Sequence, residues 1–173
     1  MSGALNCRQE GAWYDDPVSA FTTYGPPTDS AAGFRVVAGA PTGLSRLLLA
    51  VGRLPTGDVG PVHLHYGEEV LHVLDGRLVV RVGTQRRECG PGDVVTVAAG
   101  EWHGFEALEE TVLEVVAEQR IGTVYPVRAG NGGVELVEVY RPDMPWGRAP
   151  RDGTSWTDDC EMRRILDSLH PGA

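Results

Sequence analysis

Three histidines and one glutamate carry the chemistry open to this chain. His63 and His65 stand two apart, Glu69 follows four residues on, and His103 lies about forty residues downstream. Imidazole and carboxylate are the usual protein ligands of first-row divalent metals. A set of three and one suits iron(II), manganese, nickel, cobalt or zinc, and ligand type alone does not choose among them. Residues two apart on a strand share a face, so His63 and His65 point the same way. A bend at Tyr66-Gly67 then lets the next strand begin with Glu69 aimed at the same interior point. His103 belongs to a second β segment, and in a closed barrel the two segments can converge. Four protein ligands leave one or two positions for substrate, water or dioxygen. An ion there polarises a carbonyl or enol oxygen, acidifies bound water, or supplies electrons if it is iron or manganese. Glu69 doubles as the candidate catalytic base, a role that needs its pKa raised by burial.

The elements that must position these groups are short and β-rich. From Phe34 to about Tyr140, runs with strand character recur every 8–12 residues between turn signals, the pattern of an all-β sandwich or barrel. The runs are Phe34–Ala38, Arg46–Arg53, Val62–His65, Glu69–Leu74, Arg77–Val82, Val94–Val97, Gly104–Glu106, Thr111–Glu118 and Val134–Tyr140. Asp75-Gly76 reads as a two-residue hairpin turn, and Gly90-Pro91-Gly92-Asp93 as a further turn. If Glu69 points inward, Leu71 and Val73 do too, and form an apolar wall. Trp102 and Phe105, flanking His103, are candidates for the pocket mouth. His72, three residues after Glu69, falls on the opposite face.

Outside the barrel the composition changes. Residues 1–33 form an irregular arm rich in Gly, Pro, Ser and Thr, carrying Trp13, Tyr14, Phe21 and Tyr24. Residues 34–140 are the barrel, and residues 141–173 an extended strap followed by a helix. Met162, Ile165, Leu166 and Leu169 recur at helical spacing, so a short amphipathic helix is expected over 158–169.

Gly57, five residues, His63, one residue, His65, three residues, Glu69, six residues and Gly76 together match the first motif of the cupin superfamily at every fixed position. Gly92, five residues, Ala98, one residue, Gly100, two residues and His103 resemble the second motif. Ala98 stands where the family usually has proline and Ala107 where asparagine is common, and neither is a ligand position. The resemblance implies an antiparallel jelly-roll barrel with one metal ion held by His63, His65, Glu69 and His103. Cupins of this size include quercetin-type dioxygenases, so a dioxygenase acting on a small aromatic or enolic molecule is the first expectation. A non-oxidative cyclase, isomerase or decarboxylase, like small cupins of polyketide pathways, is the second. A ligand-binding module without turnover is the third.

Composition narrows the partners. A formal net charge of −9 argues against nucleic acid, whose phosphates require a clustered basic surface. No apolar run reaches the ~18 residues that would span a bilayer, and the first residues lack the pattern of a secretory signal. Three widely spaced cysteines (Cys7, Cys89 and Cys160) fit free thiols in a reducing cytoplasm. All fifteen basic residues are arginine, so lysine Schiff-base chemistry is excluded. No glycine-rich loop cradles a nucleotide. A small organic substrate is the expected partner, together with a second copy of the chain, because an aromatic arm and a sheet edge both call for cover.

Overall fold

The structure, a computed structural model, describes residues 24–25, 33–118, 122–128 and 134–139. The strap and the expected helix over 158–169 lie outside these residues, as does nearly all of the arm. Eleven strands are described: β1 (Gly33–Ala38), β2 (Leu47–Leu54), β3 (Val59–His65), β4 (Glu69–Asp75), β5 (Leu78–Val82), β6 (Gln85–Cys89), β7 (Val94–Val97), β8 (His103–Ala107), β9 (Thr111–Glu118), β10 (Thr123–Arg128) and β11 (Val134–Val139). A single 3-10 turn, Ala40–Thr42, interrupts them. Among the described residues no helix is long and apolar enough to cross a membrane.

The strands form two antiparallel sheets of order β1-β2-β9-β4-β7 and β11-β10-β3-β8-β5-β6, the jelly-roll arrangement. Alternation explains the core. Along β9, Thr111, Leu113, Val115 and Ala117 are buried and the residues between them are partly exposed. Along β4 the buried set is Glu69, Leu71 and Val73. The apolar ones, Leu71, Val73, Leu113, Val115 and Ala117, meet Leu54, Leu78, Val80, Cys89 and Ala107 in one cluster drawn from both sheets. One sandwich core is therefore shared between the two layers.

Most expected strands are present, often a residue or two longer. The reading of Asp75-Gly76 changes. β4 pairs with β7 and β9 while β5 pairs with β6 and β8, so the chain crosses there from one sheet to the other and makes no hairpin. Gly76 is required by this corner for two reasons. Its φ is +79°, and a Cβ would come within 2.7 Å of Thr111 Cα. The hairpin lies one step later, at Gly83-Thr84, where Val82 faces Gln85 across β5 and β6. The turn at Gly90-Asp93 forms as expected, closed by a backbone bond from Asp93 N to Gly90 O of 2.9 Å.

A candidate metal centre between the sheets

His63 and His103 are direct cross-strand partners on β3 and β8, and a register shift between Gly60 and His63 rotates the end of β3 toward the interior. The Phe105 ring lies over Gly60 where a Cβ would be 2.5 Å away, so only glycine lets this kinked segment and the aromatic share the space. His65 sits two residues beyond His63, and Glu69 opens β4 across from Val97 and Ala117. The three imidazoles cluster with ring centroids 4.3 Å (His63–His103), 4.8 Å (His65–His103) and 5.7 Å (His63–His65) apart. One potential ligand atom from each lies within 4.8 Å of the others, a group able to hold a metal ion. Glu69 joins them: its Oε2 is 3.2 Å from His65 Nε2 and 3.0 Å from His103 Nε2.

The backbone decides which nitrogens face the centre. His63 Nδ1 is 2.7 Å from Pro61 O, His65 Nδ1 is 2.9 Å from Gly67 O, and His103 Nδ1 is 2.9 Å from Glu101 O. A carbonyl can only accept, so in the neutral rings each Nδ1 carries the proton and each Nε2 is a bare lone pair. The turn that carries the Glu101 carbonyl is itself held by backbone bonds. Gly100, with φ at +78°, donates its N–H to His65 O at 2.8 Å, and Glu101 N reaches back to Ala98 O at 3.1 Å. Gly100 and Ala98 of the second motif thus build the turn that aims the Glu101 carbonyl at His103.

Bare Nε2 atoms against a carboxylate oxygen are acceptors facing an acceptor, which is stable only with a cation between them. His103 Nε2 is buried and makes no hydrogen bond. The titration behaviour follows. Burial, reinforced by His103, pulls the His63 pKa down to about 3, so this ring stays neutral. Burial also acts to lower that of His65, but the Glu69 carboxylate beside it prevails and the net shift is upward. For Glu69, burial alone would raise the pKa; the contacts with His103 and His65 outweigh it and hold the carboxyl below the usual range. In the metal-free protein the Glu69 carboxylate therefore favours the protonated form of the His65 ring. A base would need its pKa raised, and the neighbouring imidazoles shift the Glu69 carboxyl the other way.

Leu71 and Val73 belong to the core cluster just beyond Glu69, with Phe105 packed against it. Trp102 does not join them. It packs with Val62 and Val124 in a second, smaller cluster. Val62 and Trp102 each precede a histidine in sequence, and alternation turns them to the other side of the sheet. The expectation that Trp102 lines the pocket is therefore corrected. His72 lies on the outer side, its Nδ1 3.1 Å from Glu114 Oε2.

One neighbour escaped the sequence reading. Tyr125 on β10 is 3% exposed, and its ring centroid is 5.5 Å from that of His63. Burial, and then the Glu69 charge, push its phenol up to about 12. The visible signal was the alternation of Thr123, Tyr125 and Val127 in a run broken by Pro126.

Residues 50–117 match the cupin domain family, and this segment, which holds all four polar residues of the site, is a cupin domain. No curated protein matches the chain. Among solved structures it is similar to KdgF from Halomonas sp., at 23% identity over 54% of this chain and 84% of that one, with a TM-score of 0.47. It is also similar to a cupin-superfamily sugar phosphate isomerase from Silicibacter pomeroyi (21% identity, 65% and 80% covered, TM-score 0.48). A third is an RmlC-like cupin from Shewanella frigidimarina (21% identity, 52% and 79% covered, TM-score 0.46). Similarity at this level speaks to no activity.

Proposed function

We propose that His63, His65, Glu69 and His103 hold one divalent transition metal, and that the protein is an enzyme activating a small aromatic or enolic molecule there, in a dioxygenase-type reaction. The observation that carries the metal reading is the orphaned, buried Nε2 of His103, set with two more imidazoles around a carboxylate oxygen. Three neutral nitrogens and one anionic oxygen fit an iron(II)-type ion and leave it a net positive charge. When bound, such an ion supplies a Lewis acid and, if iron or manganese, a source of electrons. The chain's own residues do the rest. Backbone carbonyls lock each imidazole in its ligand tautomer. Leu71 and Val73 keep the space beneath Glu69 apolar, and the two sheets exclude bulk water. Apolar surroundings with few polar groups suit a small organic molecule.

Metal analysis of protein purified without chelators, followed by oxygen uptake with flavonols, thiols and polyphenols, tests the reading. Iron with substrate-dependent oxygen consumption is expected. Zinc with no uptake would move the chemistry to a cyclase, isomerase or decarboxylase. No metal at all would sink the enzyme reading and leave a ligand-binding cupin.

A further inference from the structure

The outer side of the second sheet buries apolar groups where a two-layer sandwich should leave them wet. Val62 and Val124 turn outward from β3 and β10, and Trp102 joins them in one cluster. Val62, Trp102 and Val124 are 5%, 6% and 6% exposed. Trp102 accounts for part of the burial of the two valines, but not for its own. Leu64 and Val134, packed against the cluster, are only partly buried. The described strands make two layers, with no third outside them. An apolar sheet face is buried only when a further element lies over it. Beside Val62, Gly60 and Gly104 leave a trough that runs to Val79, and Arg81, Arg86 and Glu106 rim it. Gly104 floors it, since a Cβ there would stand 3.0 Å from Gly60 O.

Two parts of the chain outside the described residues are long enough to supply the cover. The arm is tied to the other sheet: Tyr24 donates to Glu114 on β9 at 2.9 Å, and Gly25 O accepts from Arg35 on β1. The chain that follows β11 starts in the right place, because β11 is the edge strand next to β10. Residues 140–157 reach about 60 Å when extended, and only three strand spacings, about 14 Å, separate β11 from β8. A helix over 158–169 is about 18 Å long, enough to cross the patch. Its Met162, Ile165, Leu166 and Leu169 fall on one stripe.

We propose that residues 158–169 form a helix whose Met162, Ile165, Leu166 and Leu169 stripe docks on the outer side of β3 and β10, over Val62, Trp102 and Val124. The covered surface is the back of the segments that carry His63, His65 and His103. The helix is thus a third layer behind the metal centre, and its docking does not depend on a bound ion.

The test uses the full chain with the photo-cross-linker p-benzoylphenylalanine in place of Ile165. Illumination should join that position to residues 59–64, 102–106 or 123–128 of the same chain, read by mass spectrometry of the digest. Cross-links to β1, β2 or β9 would overturn the proposal. So would cross-links found only between two copies in a mixture of light and heavy chains, or none into the described residues. Hydrogen exchange without the cross-linker gives a second measurement. Residues 158–169 should exchange about tenfold more slowly in the wild type than in Leu166→Asp, while β4 and β9 exchange alike in both. Equal exchange of the segment in the two proteins would also overturn it.

Discussion

Among the described residues, two histidine–glutamate contacts of almost equal length make a contrast, one between the two sheets and one on the outer face of the sheet that holds β4. Inside, His65 and Glu69 approach to 3.2 Å with side chains 2% and 5% exposed. Outside, His72 and Glu114 approach to 3.1 Å with side chains 35% and 21% exposed. The outer pair spends its His72 Nδ1 on the carboxylate, and Tyr24 donates to the other oxygen of Glu114 at 2.9 Å. Each group there has a partner of opposite hydrogen-bonding character, and water covers the rest. The inner pair has its Nδ1 tied to a carbonyl, so lone pairs are crowded against a carboxylate with two further imidazoles nearby. Separation is shared by the two pairs; what differs is burial, and which nitrogen the backbone has already engaged. Those two properties turn a surface contact into a cation site.

The contrast can be broken at several points. Glu69→Ala should weaken cobalt(II) or zinc(II) binding by more than about a hundredfold in a calorimetric titration, because it removes the only anion from the donor set. Retained affinity would mean that the inner pair is no more a ligand set than the outer one. Acidification should act next. The His65 pKa lies above the ordinary imidazole value, so its proton competes with metal at higher pH than usual. Metal affinity should be full above that raised pKa and fall about tenfold per pH unit below it, one proton being displaced per ion. A flat profile through this range would contradict the assigned tautomers. His72→Ala should change least: metal affinity untouched, and stability against urea altered by about 1 kcal/mol or less, as for other exposed ion pairs.

Much of this was legible in the residues. The spacing of His63, His65, Glu69 and His103 selected the residues that meet between the sheets, because strand alternation is a strict rule and glycines mark the corners. The misses have physical causes. Asp75-Gly76 looks like a hairpin because a short turn usually joins paired strands, but in a sandwich the same dipeptide can carry the chain between layers. β6, Gln85–Cys89, was not anticipated: four of its five residues are exposed and polar, and it is held by pairing with β5 at the sheet edge. β10 was hidden by Pro126, and Tyr125 with it. Trp102 was misplaced because proximity in sequence to His103 was taken as proximity in space, whereas adjacent residues on extended chain point apart.

The central claim is tested most directly by an anomalous difference map from a crystal of the cobalt(II)-loaded protein. The account predicts one peak between the sheets, about 2.0–2.2 Å from the Nε2 atoms of His63, His65 and His103 and from a Glu69 carboxylate oxygen. A peak at His72 and Glu114, or none between the sheets in protein that has taken up cobalt, would contradict it.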